Sequence, residues 1–330
     1  MRIRIVGGGW YGCHLALALL RDGHAVELHE IADRLFAGAS GANPARLHLG
    51  FHYPRSRLTR ALSQEHYRAF MGRYGDLTRA VPVNVYAVAR DESLVDFGTY
   101  TQVLRGEVEF VTIERPADFG LCCVEGAVLT GERHIVVELA RAYFAEALAG
   151  VVRYRTRADE LDDATWDATI DCTFCALDSR SIGRYEPCLM LLLAGPTDRA
   201  VTIMDGPFPS LYPWHDAKGL SSLTSARFTP FSKTCESRAV AQALLDGLST
   251  ADIQKQANKM IASMGVFWPA FLEQYKLADY RLSIRAMPES ACDARLVDVI
   301  RVGARAWRVR AGKIDAILHA ERLVREAIGA

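Results

Sequence analysis

The first twelve residues, MRIRIVGGGWYG, constrain this chain more than any other stretch. A run ending in Ile5 and Val6 reads as a strand, and Gly7-Gly8-Gly9-Trp10-Tyr11-Gly12 follows at once as G-x-G-x-x-G. Cys13, Leu15, Ala16, Leu17, Ala18, Leu19 and Leu20 then give a helical pattern that ends near Asp22-Gly23. Each glycine answers a geometric demand. Gly7 allows a tight bend, Gly9 lets backbone approach a pyrophosphate, and Gly12 lets helix and strand pack closely. The helix N-terminus adds N–H groups and partial positive charge for phosphates. Such a motif alone is a weak signal. Here it lies between strand and helix, and a second strand, Ala25 to Glu30, ends 18 residues after Gly12 on an acid. That is where a ribose-binding carboxylate is expected. The stretch therefore predicts dinucleotide binding.

The 330 residues, half of them hydrophobic, suffice for about two domains. Thirty-nine acidic and 39 basic side chains cancel, which argues against a dedicated nucleic-acid binder. No apolar run approaches the ~20 residues of a membrane helix, so no membrane partner is expected. Because residue 1 already opens a strand, no targeting peptide is read and a cytoplasmic protein is expected. The eight cysteines are scattered and are expected as thiols rather than disulfides. Cys172-Thr173-Phe174-Cys175 matches C-x-x-C, but no second pair exists and it sits in an apolar strand pattern, so it reads as structural. No metal-ligand set is read.

Beyond Glu30, residues Ala37 to Pro44 form a small-residue loop in which backbone can approach a ligand. Arg46-Leu47-His48-Leu49-Gly50-Phe51-His52-Tyr53-Pro54-Arg55 alternates as a strand would, with Leu47, Leu49, Phe51 and Tyr53 on one face and His48 and His52 on the other. It is the densest polar segment of the chain. Leu58–Tyr74 and Val136–Leu148 read as helices, Val81–Arg90 as a strand, and Leu189–Phe231 as strands joined by turns. Val240–Met264 reads as one or two helices, and the last helix opens at Gly312-Lys313-Ile314. The fold class is therefore α/β, α+β in part. A Rossmann-like nucleotide domain (1–50, 130–185 and 295–330) is expected to interleave with a substrate domain on a mostly antiparallel sheet (51–129 and 186–294). Asp171 and Glu27 lie on sheet strands and read as structural.

In order, the N-terminal G-x-G-x-x-G, Glu30, the Ser40-Gly41-Ala42-Asn43 loop, the antiparallel region and the final Gly312-Lys313-Ile314 resemble the FAD-dependent oxidoreductases of the D-amino-acid oxidase, glycine oxidase and sarcosine oxidase type. Leu211-Tyr212-Pro213-Trp214 with Asp216 and Gly219 is similar to that family's tyrosine-proline strand and turn. Tyr280–Asp293 is similar to its arginine-proline segment, with Ala286 where proline is usual. The His52-Tyr53-Pro54-Arg55 stretch replaces small residues and suggests a separate branch, one suited to a biosynthetic pathway.

The resemblance implies FAD as cofactor. It implies cofactor contacts at Gly7, Gly9, Trp10, Tyr11, Gly12 and Glu30, at Ser40, Asn43, Arg46 and His48, and at Gly312, Lys313 and Ile314. The Gly312 helix start and Lys313 would stabilise negative charge on a reduced ring. Catalytic or substrate roles fall to His52, Tyr53, Arg55, Tyr212 and Arg285, with Arg281 a competitor of Arg285. Arginine suits this because its fork matches a carboxylate. The first expectation is oxidation of a C–N bond in an amine or amino acid, with a small anionic substrate and oxygen or another electron acceptor as partners. A monooxygenase, a C–O oxidase or a sugar-mutase-like flavoenzyme is the alternative, and a non-catalytic nucleotide-binding protein a further one. Oligomeric state is left open.

Overall fold

The computed structural model describes residues 1–177, 184–215, 218–232, 235–287, 297–310 and 313–329. A six-stranded sheet runs in the order β16 (Asp298–Arg301), β17 (Ala306–Arg310), β10 (Ala168–Asp171), β1 (Arg2–Val6), β2 (Ala25–His29), β9 (Val152–Arg153). All its pairs are parallel except β16 with β17. Ile3, Ile5, Leu28, Ala168 and Ile170 are fully buried, as expected where helices cover both faces of a parallel sheet. Those helices are α1 (Trp10–Arg21), α4 (Val137–Ala147) and α8 (Ile317–Ile328).

The second sheet has eight strands: β15 (Lys276–Met287), β11 (Arg184–Ala194), β14 (Leu220–Ser225), β13 (Pro209–His215), β12 (Arg199–Met204), β5 (Val83–Ala89), β7 (Val124–Thr130) and β6 (Phe110–Ile113). Every pair is antiparallel but β12 with β5. Helices α5 (Arg238–Asp246), α6 (Thr250–Phe267) and α7 (Phe271–Gln274) lie on this sheet's side of the molecule. Ile253, Ala257, Met260 and Met264 of α6 pack into the same core as Val85, Leu191 and Leu211. The break between α5 and α6 is chemical: Ser249 accepts the Asp252 N–H at 3.2 Å, and Asp252 returns the contact at 3.1 Å. Helix α3 (Phe97–Leu104) seats Tyr100 and Leu104 in a smaller cluster with Phe51, Tyr86 and Val128.

A three-stranded antiparallel sheet, β3 (Arg46–Leu47), β8 (Arg133–Ile135) and β4 (Thr78–Ala80), completes the strands of the described residues. Here the alternating Arg46–Arg55 segment departs from the strand read in its sequence. Its strand stops at Leu47, and Gly50, at φ +105°, folds the chain back so that the His48 and His52 rings still meet at 5.7 Å. Helix α2 (Arg57–Tyr74) follows, and its Phe70 and Tyr74 join the six-stranded sheet's core through Trp10. That packing gives α2 to the first core, whereas the sequence placed 51–129 with the second sheet. No disulfide joins the described cysteines. No helix among the described residues is long and apolar enough to cross a membrane.

Candidate active site and cofactor cradle

The glycine-rich turn is as crowded as its chemistry requires. Gly7 sits at φ +104°, and a Cβ there would stand 2.8 Å from the Cys172 carbonyl oxygen. A Cβ on Gly12 would fall 1.9 Å from the Gly7 carbonyl oxygen, and one on Gly9 2.7 Å from Ser40 Oγ. Ser40 Oγ also accepts the Trp10 N–H at 3.0 Å, which pins the small-residue loop over the start of α1. Glu30, 8 % exposed, accepts the Gly8 N–H at 2.6 Å and the Ala32 N–H at 2.8 Å. Its carboxylate thus fixes the turn that would present it to a ribose. Asn43 shapes its own loop, donating to the Ala39 carbonyl at 2.7 Å and accepting the Ala45 N–H at 2.7 Å. Trp10 sends its indole into an aromatic cluster with Phe36, Phe70, Tyr74 and Phe144. Tyr11 donates its hydroxyl to the Lys313 carbonyl at 2.5 Å, tying α1 to the last segment.

From Gly9, Ser40 and Asn43 a cavity of about 540 Å3 runs between the two large sheets, past Arg46, His48, His52 and Tyr53. Thr202, Met204 and Ser283 line it from the second sheet, and Ile314 and Asp315 from the segment before α8. Arg46 lies over the Tyr212 ring at 4.5 Å and donates from Nη1 to Thr202 Oγ1 at 3.3 Å. Its Nε and Nη2 are buried and have no hydrogen-bond partner among the described residues. Buried donors without a partner are costly, and Arg46 stands on the wall of a cavity that could supply a ligand oxygen. His48 Nδ1 stands 3.4 Å from Glu132 Oε2. Glu132 is wholly buried and accepts the Leu49 N–H at 2.7 Å and the Tyr86 hydroxyl at 2.5 Å. Burial alone would raise its pKa, but His48 beside it and the hydrogen bonds from Tyr86 and Leu49 hold it below the ordinary carboxylate value. Lys313 donates from Nζ to Ser63 Oγ at 2.9 Å and lies 3.9 Å over the Tyr53 ring.

Three residues expected at the substrate are engaged elsewhere. Tyr212 is fully buried, takes the Asn84 side-chain N–H at 3.0 Å on its hydroxyl, and supports Arg46 from behind instead of lining the cavity. Arg55 is half-exposed on the rim and pairs with Asp205 at 2.5 Å; Asp205, not Arg55, reaches the cavity wall. Arg285 does line the cavity, but its Nε donates to Glu186 at 2.8 Å and its Nη2 makes a second contact with the same oxygen. Arg281 lies outside, paired with Asp279. Gly312 is outside the described residues, while Lys313 and Ile314 are on the wall. Asp171, read as structural, pairs with buried Arg308 at 2.6 Å. Cys172 lines the cavity, and burial pushes the Cys175 thiol up to about 11, as for an inert core thiol.

Glu132 and Asp315 were missed in the sequence. Glu132 follows the strand pattern at a turn, where an acid reads as solvated. Asp315 stands two residues before the amphipathic α8, where an acid reads as a favourable first-turn charge.

Residues 2–181 match the family described as FAD dependent oxidoreductase. The chain belongs to that family. A relative is 35 % identical over 97 % of this chain and 89 % of its own length: the FAD-dependent monooxygenase FPY4 of Fusarium mangiferae. Among solved structures, glycine oxidase from Geobacillus kaustophilus is similar with a TM-score of 0.72 at 16 % identity, covering 99 % of this chain and 94 % of that one. The FAD-bound, dithionite-reduced L-alpha-glycerophosphate oxidase from Mycoplasma pneumoniae has a TM-score of 0.73 at 13 % identity, with 99 % and 94 % covered. The cofactor of this FAD-dependent oxidoreductase is accordingly FAD. The residues present fit it: a turn that only glycine can make, an N-terminal helix end facing the cavity, and a guanidinium with two unsatisfied donors farther along.

Proposed function

We propose that this oxidoreductase takes a hydride from a carbon that bears an N–H or O–H group in a small polar substrate, with His48 receiving the N–H or O–H proton. Bound FAD supplies the two-electron acceptor. The observation that carries the reading is the His48–Glu132 pair, with half-buried His48 on the cavity wall and fully buried Glu132 behind it, on the same cavity lining as Arg46. Glu132, held below the ordinary carboxylate value, stands 3.4 Å from His48 Nδ1, and a proton placed on that nitrogen would leave the Nε2 lone pair for the substrate. A base so oriented contributes by positioned proton transfer. Arg46 Nε and Nη2 would bind an anionic or carbonyl oxygen. Arg285 is the weaker choice for that task because Glu186 already neutralises it. An amine or amino acid remains the first substrate class, and a hydroxy compound fits the same base.

The cofactor would be held by Gly7, Gly9, Gly12, Glu30 and Ser40 at the phosphate and ribose end, and by Arg46, Lys313 and Ile314 farther along the cavity. Hydroxylation is the second reading. It is favoured by the 35 % identical relative, which is named a monooxygenase. The two separate under anaerobic conditions, by following oxidised-flavin absorbance on adding amino acids, amines, hydroxy acids and NADPH in turn. The first reading expects bleaching by one of the amine or hydroxy compounds without nicotinamide. It also expects His48→Asn to slow that bleaching by about 100- to 10,000-fold while FAD stays bound. Bleaching by NADPH alone would transfer the assignment to hydroxylation.

A further inference from the structure

Asp315 lies in the short 3-10 turn Ile314–Ala316 that leads into α8. It is 2 % exposed and lines the cavity, and neither carboxyl oxygen has a hydrogen-bond partner among the described residues. A carboxylate buried in this way is unfavourable until a donor or a proton reaches it. The charged and titratable groups around it come from four segments. Lys313 precedes it, His48 faces it from the loop after β3, His66 from α2 and Tyr11 from α1. Burial raises its pKa, Lys313, His48 and His66 oppose that, and the carboxyl stays above its ordinary value. Its nearest cation in sequence, Lys313, is already shared with Ser63 and the Tyr53 ring.

A route to the surface starts beside it. Helix α2 packs directly on the 314–316 turn. His66 Nε2 is buried with no hydrogen-bond partner among the described residues, and its ring lies 5.7 Å from that of His319 on α8. His319 is half-buried, and its Nδ1 is 3.3 Å from the Arg322 guanidinium at the exposed side of α8. Asp315, His66 and His319 are therefore ionisable groups on neighbouring elements between the cavity wall and the surface, and the proposed proton transfer at His48 uses none of them.

We propose that Asp315 takes up a proton from solvent when the bound FAD is reduced, with His66 and His319 carrying that proton inward. This rests on the reading that the cavity holds the redox end of the cofactor. The balance is simple. Two electrons and one proton enter FAD together, and the cavity gains one negative charge. One further proton passes from water through His319 and His66 to a carboxylate oxygen of Asp315, and no other bond changes. Added negative charge strengthens proton binding at a neighbouring buried carboxylate, and by reciprocity that proton favours reduction.

The test is the midpoint potential of the FAD-loaded protein against pH, with dithionite as reductant and a redox dye as indicator. Each proton coupled to two electrons adds about 30 mV per pH unit, since tenfold in such an equilibrium is about 30 mV. The wild type is expected to show a stretch of pH that is about 30 mV per unit steeper than in Asp315→Asn. Coincident slopes at every pH would overturn the assignment. Asp315→Glu keeps the carboxyl one methylene farther out and should keep the steep stretch at a displaced pH; a stretch that does not move also overturns it. His66→Gln should leave the equilibrium slope intact and slow proton uptake, followed with a pH-indicator dye after rapid anaerobic mixing with reduced methyl viologen, whose oxidation releases no proton. An unchanged uptake rate removes His66 from the route. No substrate enters these measurements, so failure of the His48 assignment leaves their outcome untouched.

Discussion

An added carbon on Gly12 would sit 1.9 Å from the Gly7 carbonyl oxygen, and backbone cannot swing aside as a side chain can. Gly12→Ala must push α1 away from β1 and open the turn that faces the phosphates. The expected cost is about 1–3 kcal/mol of stability, together with a fall in flavin bound per protein. Gly72, inside α2, meets nothing within 4 Å. Gly72→Ala is therefore expected to stabilise by about 0.5–1 kcal/mol and leave flavin content alone. Urea unfolding and flavin absorbance measure both, and shifts of the same sign would defeat the argument from crowding. The glycines and Glu30 could be read in the sequence because a strand, a turn and a helix make the pattern locally. Glu132 and Asp315 could not, since what distinguishes them is burial beneath segments distant in the chain. Tyr212 misled for the converse reason: its motif is local, but its ring faces Arg46 from outside the cavity.

Three helices meet at one imidazole. His14 on α1 lies 2.7 Å from Glu321 on α8 through Nε2 and 2.7 Å from the Tyr74 hydroxyl on α2 through Nδ1. The hydrogen bond from His14, with Arg325 and Arg73 nearby, lowers the Glu321 carboxyl despite partial burial. A carboxyl depressed in the folded state contributes stability above its unfolded value and loses it as pH falls through the folded one. The wild type is thus expected to exceed Glu321→Gln by about 1–2 kcal/mol near neutrality. The two should converge as pH drops below about 4. Urea midpoints across that range check the sign, and a gap that widens on acidification would contradict it. Helices such as α2, α4 and α6 were readable because each carries its apolar stripe within one stretch of chain. The 46–55 segment was not, because alternation predicts a strand only where a partner strand continues, and β8 accompanies it for two residues before Gly50 turns it away. Which core α2 would join was equally hidden, since an apolar stripe does not say which sheet it will meet.

The cavity wall is drawn from both large sheets: Gly9 and Ser40 stand with the six-stranded sheet, Thr202, Met204 and Ser283 with the eight-stranded one. Each sheet buries its own core, and the short β3–β8–β4 sheet and contacts such as Arg46 Nη1 to Thr202 Oγ1 at 3.3 Å bridge the two halves beside the cavity. A ligand that spans the cavity touches both halves and must bind their folded forms together. Mass action then stabilises the native chain by about 2.7 kcal/mol when free FAD is a hundred times its dissociation constant. Calorimetry of the FAD-free protein titrated with FAD should show the melting temperature rise with the logarithm of FAD concentration, and any separate transition of the eight-stranded half should merge with that of the first. In Gly12→Ala the rise should shrink, because the phosphate cradle is what gives FAD its differential affinity for the folded state. A transition of the eight-stranded half that ignores FAD would mean the cofactor rests on the six-stranded half alone, and the substrate-facing wall would then have to be sought outside this cavity.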